Sequence, residues 1–60
     1  MARYVIEENS KDEYYWIFKA DNGEVISRST DGYILKGDCK ESIDIMKDEG
    51  SSASVVDMTD

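Results

Sequence analysis

Three kinds of side chain in this 60-residue sequence could do chemistry: the thiol of Cys39, the adjacent carboxylates Glu7-Glu8, Asp12-Glu13 and Asp48-Glu49, and the rings of Tyr14, Tyr15 and Trp16. A cysteine attacks as its thiolate, which a neighbouring base or positive field must stabilise. The chain has no histidine, and Cys39 falls on an apolar stripe, so a buried and inert thiol is expected. Acid–base catalysis needs two carboxyls converging in a cleft with separated pKa values, and neighbours along an exposed chain end do not converge. The segment DNGE at 21–24 resembles the start of a calcium loop but lacks ligands at alternate positions and the closing glutamate. Neither a catalytic residue nor a metal or cofactor site is expected, and the chain reads as a non-enzyme.

The rings pose a different question, because exposed aromatics on a sheet can stack a base or a small aromatic molecule. Such platforms sit among Lys and Arg. Here Asp12-Glu13 precede the rings and Asp21 follows them. Trp16 is therefore expected inside the fold, and Tyr15 at a structural contact. The alternative is a platform of Tyr14, Tyr15 and Trp16 for a peptide or small aromatic ligand, with acidic neighbours selecting cations.

Fourteen acidic and seven basic residues give a net charge of −7. Nucleic-acid binding rests on neutralising phosphates, so direct contact with DNA or RNA is not expected. An acidic surface that mimics nucleic acid and occupies a basic protein is a further reading. No apolar run approaches a signal-peptide core or a membrane span, so a cytoplasmic protein without a membrane partner is expected. One cysteine makes no internal disulfide, and a chain of this length has little core, which points to oligomerisation as the remedy.

The elements that must position these groups follow from periodicity. Residues 3–8 alternate Tyr4 and Ile6 against Val5 and Glu7, as in a strand, and NSKD at 9–12 is turn chemistry. A second strand over about 13–21 puts Trp16 and Phe18 on one face and Tyr15 and Ile17 on the other. Asn22-Gly23 signals a two-residue type I′ hairpin, which pairs Lys19 with Ile26 and places Val25 on the Trp16 face. Asp31-Gly32 ends the third strand. Leu35, Cys39, Ile43 and Met46 then recur at helical spacing to about Glu49, with Gly50 as the C-terminal stop.

The expected fold class is α+β: a three-stranded antiparallel meander followed by one amphipathic helix packed on the sheet, with residues 1–50 as the domain. Tyr4, Ile6, Trp16, Phe18, Cys39, Ile43 and Met46 form the expected core. Residues 51–60 form a tail, either frayed or supplying a short strand within the chain or onto a partner, since Val55-Val56 is apolar. Tyr15, Ile17, Ile26, Val55 and Val56 are the expected contacts of a homodimer.

The order of these residues also resembles a known family. An aromatic two residues before Trp16, then Lys19-Ala20, Asn22-Gly23-Glu24, Val25-Ile26, Gly32-Tyr33, Lys36 and a helix with Cys39, Ile43 and Met46 is similar to the YegP-like proteins, small bacterial and archaeal domains of unknown function. The resemblance covers residues 4 to about 47. It implies a β-β-β-α unit that works in pairs, as a tandem repeat or, with one copy here, as a homodimer, and it implies no activity. Three features depart from the pattern: Tyr15 and Ile17 stand where long basic residues are usual, Ile34 where Ser or Thr caps the helix, and one extra residue falls near Asp31.

Overall fold

A computed structural model describes residues 1–59. Three strands, β1 (Arg3–Glu8), β2 (Tyr14–Lys19) and β3 (Val25–Arg28), precede a helix, α1 (Lys36–Glu49), and a 3-10 turn, Gly50–Ser52. The strands form an antiparallel sheet in the order β1-β2-β3, with β2 in the centre. The meander, the single helix and the α+β class are those expected.

Pairing fixes the faces. Tyr4 stands opposite Phe18 and Ile6 opposite Trp16, while Val5 stands opposite Ile17 and Glu7 opposite Tyr15. Strand alternation therefore gathers Tyr4, Ile6, Trp16 and Phe18 under the helix and leaves Tyr15 and Ile17 on the other side. Tyr4 joins the first set by ring contact, edge-on to Trp16 at 5.5 Å and tilted against Phe18 at 4.9 Å.

Both hairpins are closed by one loop geometry. In the second, Ala20 N–H donates to the Glu24 carbonyl at 2.8 Å and Gly23 N–H to the Ala20 carbonyl at 2.9 Å. In the first, Asn9 N–H donates to the Glu13 carbonyl at 2.9 Å and Asp12 N–H to the Asn9 carbonyl at 3.1 Å. Each is a three-residue loop whose last member is left-handed, Asp12 at φ 61° and Gly23 at φ 88°. A type I′ turn needs positive φ at Asn22 as well, so the expected two-residue loop is replaced by a type I turn with a left-handed glycine. As a consequence Val25, not Ile26, stands opposite Lys19, and a bulge between Phe18 and Lys19 restores the register with Ser27 opposite Phe18. Val25 thus departs from the Trp16 face assigned to it by the simple count.

Asn9 organises the first loop. Its side-chain oxygen accepts from Lys11 N–H at 2.8 Å and Glu13 N–H at 3.1 Å, while its amide donates to Glu13 Oε1 at 3.1 Å. Asp12, without glycine's freedom, carries the steric cost of the left-handed region, on the order of 1 kcal/mol. Asp12→Gly is expected to raise stability by a few tenths to about 1 kcal/mol in urea denaturation, against the usual sign of a glycine substitution. A loss of stability would show that the Asp12 side chain compensates its backbone.

After β3 the chain bends through residues 29–33 and returns to β2. Tyr14 and Tyr33 exchange backbone bonds of 2.7 Å in both directions. Ser29 bridges the irregular stretch: its hydroxyl accepts from Trp16 N–H at 3.2 Å and donates to the Asp31 carbonyl at 3.1 Å. Gly32 passes so close to Glu13 that a Cβ there would fall 2.9 Å from the Glu13 Cβ, which explains a glycine without any call on positive φ.

The helix begins without a side-chain cap, with extended Leu35 in the N-cap position. Gly50, the expected stop, is right-handed at φ −63° and continues the chain into the 3-10 turn, because nothing forces the backbone over at that point. Among the described residues no strand forms beyond Ser52, and residues 53–59 carry no regular structure. The tail's last residue lies outside the described residues.

Candidate functional site

Of the chemically suggestive residues, Cys39 and Trp16 meet where α1 crosses β2. Cys39 has no exposed surface and is the most buried residue of the helix. Trp16 beneath it is buried, and its indole N–H donates to Ser42 Oγ at 3.0 Å while the Ser42 hydroxyl donates to the Cys39 carbonyl at 2.7 Å. A buried indole N–H needs such a partner, since leaving it unpaired costs about 1–3 kcal/mol. Trp16 is therefore committed to the fold through its N–H and, at 6% exposure, through most of its ring. Tyr14 and Tyr15 are half-buried.

Burial pushes the Cys39 thiol above its ordinary pKa, because desolvation disfavours the thiolate. Inertness is the chemical consequence. Native protein at neutral pH is expected to react with iodoacetamide at least about a hundredfold more slowly than protein in urea, since modification must wait for opening. The same shift makes folding stability fall as pH rises from about 8.5, the thiol's unfolded value, through the higher folded value, and leaves it untouched below. Equal labelling rates in the two states would place the thiol at the surface.

The carboxylates do not assemble. Glu7 and Glu8 alternate across β1, Glu13 is tied to Asn9, and Asp21 pairs with the N-terminal ammonium. Asn22 Oδ1 accepts from Glu24 N–H at 3.0 Å, so DNGE is occupied in its own turn. No group of three metal-ligating side chains occurs among the described residues, and no helix of them is long and apolar enough to cross a membrane.

The other expected residues divide differently. Tyr4, Ile6, Phe18 and Ile43 are half-buried beneath or along the helix. Met46, expected in the core, is 43% exposed. The helix packs over β2, leaving a groove of about 420 Å³ towards β3 that Met46, Ile45 and Trp16 line, so the methionine has one wall instead of two. Ile17, expected at a contact between copies, is already buried within its own chain at 8% exposure. Its central position between Val5 and Arg28 accounts for that. Ile26 is 57% exposed and Val55 95%. Ser42 belongs to no motif in the sequence, and its one signal there is a hydroxyl three residues beyond Cys39 on the same helix face.

The family described as Domain of unknown function (DUF1508) matches this chain over residues 9–57. A solved structure described as the NMR solution structure of the protein from Haloferax volcanii is similar at 28% identity and TM-score 0.83, covering 93% of this chain and 93% of that one. No curated protein matches.

Proposed function

Because the chain belongs to the family of small YegP-like domains of unknown function (DUF1508), whose resemblance implied a unit working in pairs, we propose that it is a non-enzymatic homodimeric interaction module. The observation that carries this reading is an imbalance of apolar surface. Among the described residues only Trp16, Ile17 and Cys39 are buried apolar side chains, whereas ten large ones are exposed, Ile26, Val55 and Val56 included. So small a core leaves a domain of this length marginal, and a second copy is the ordinary means of covering such residues.

The contact we favour joins the Tyr15 side of the sheet and β3 to the extended tail. β3 is an edge with one unpaired backbone side, and Val55-Val56 has the composition of a segment that lies against such an edge. Each large apolar residue buried there contributes about 1.5–3 kcal/mol before association costs. The net charge supports a protein partner over a nucleic acid, and the lone free thiol suits a cytoplasmic setting.

Light scattering over a hundredfold concentration range tests the proposal. The expected result is a mass of twice the chain, with Ile26→Glu, a change at an exposed position, weakening association at least about tenfold while circular dichroism stays that of a folded chain. A monomer at every concentration would overturn it.

A further inference from the structure

A second groove, of about 500 Å³, runs between the β1 edge and α1 on the helix side of the sheet, away from Tyr15 and Ile17. Tyr4 and Phe18 line it from the sheet, and Arg3, Lys40 and Lys47 surround it with one carboxylate, Asp44. In a chain of net charge −7 with seven basic residues, three cations against one acid is a local reversal of sign. All three cations are exposed, and among the described residues the one ion pair is that of the N-terminus with Asp21, so none of the three is engaged by a carboxylate. The two rings pack on each other at 4.9 Å yet remain half-buried, so each keeps surface open.

We propose that this groove binds a small aromatic phosphate of mononucleotide size. The volume falls within the range of small-molecule sites, about 300–1,000 Å³. Tyr4 and Phe18 supply the apolar surface for the flat ring, whose stacking is worth about 1–3 kcal/mol per base on such side chains. Lys40 and Lys47 stand two helical turns apart, about 10 Å along the axis, and their flexible stems converge on an anion placed between them. Charge complementarity selects the size as well as the sign. A long polyanion would leave the groove over an acidic surface and be repelled, whereas a single phosphate meets a rim of three cations and one carboxylate. Asp44, between the two lysines in sequence, opposes the anion and limits its affinity.

The test is a titration of the full-length, isotope-labelled chain with AMP, adenosine and inorganic phosphate, followed through backbone amide shifts. AMP is expected to give saturable shifts at Tyr4, Phe18, Lys40 and Lys47, with adenosine and phosphate each at least about tenfold weaker, since each lacks half of the recognition. Lys47→Gln should weaken AMP binding about fivefold and Asp44→Asn tighten it about twofold, the opposite signs of removing an attractive and a repulsive charge. Both positions are exposed, so neither change threatens the fold. Absence of saturable shifts at the groove, adenosine binding as tightly as AMP, or indifference to Lys47→Gln would each overturn the proposal.

Discussion

Trp16→Ala is expected to remove most of the chain's stability at 25 °C. Truncating a buried tryptophan costs about 3–5 kcal/mol, and a domain of this size has on the order of 3–9 kcal/mol in total. Two further losses add to the cavity. Tyr4 loses its edge-on partner at 5.5 Å, and Ser42, whose hydroxyl accepts the indole N–H, is left facing the void. Trp16→Phe separates these effects. It keeps most of the ring surface and removes the N–H, so it should cost about 1–2 kcal/mol and remain folded. Urea denaturation by far-ultraviolet circular dichroism reads both variants, since the fluorophore itself is removed. Wild-type-like stability of Trp16→Ala would mean that the core lies elsewhere.

The second large effect concerns Ile17. At 8% exposure it is a core residue of the single chain, so Ile17→Ala should cost about 2–4 kcal/mol whether or not copies associate. The discriminating measurement is the melting temperature at high and low protein concentration. A loss that persists at the lowest concentration assigns the side chain to the fold, and a loss that vanishes on dilution assigns it to the interface. For the same reason Ile17→Glu alone would be ambiguous, since a buried carboxylate threatens the fold before it threatens a partner. Ile26, more than half exposed at 57%, carries no such ambiguity.

Much of this architecture was legible because its signals are local and periodic. Tyr4, Ile6, Trp16 and Phe18 alternate at period two, Cys39 and Ile43 are spaced four apart, and the structure brings these two sets to one interface. The loops are less legible. Asn22-Gly23 satisfies two different turns, and the choice was settled by the pairing of Ala20 with Glu24, a backbone matter that side chains do not announce. Gly50 looked like a stop, but glycine permits left-handed geometry without requiring it. Periodicity leaves depth open at Met46, which is 43% exposed, and at Ile17, which is 8% exposed. A face is set by period, whereas depth depends on where the helix sits across the sheet and on which neighbours flank a central strand. The groove is invisible at sequence level because Arg3 lies far along the chain from Lys40 and Lys47, and only the fold brings the three to one groove.

The two matching hairpin loops bear on how the chain reaches its structure. Each strand pairs with its sequence neighbour across three residues, so the sheet can zip from either turn with little loop-closure entropy. Pairing between sequence neighbours favours fast folding, and a chain without proline lacks the isomerisation that commonly slows refolding. Any slow phase seen on refolding, quickening as protein concentration rises, would then time the encounter of two finished chains rather than the making of either one.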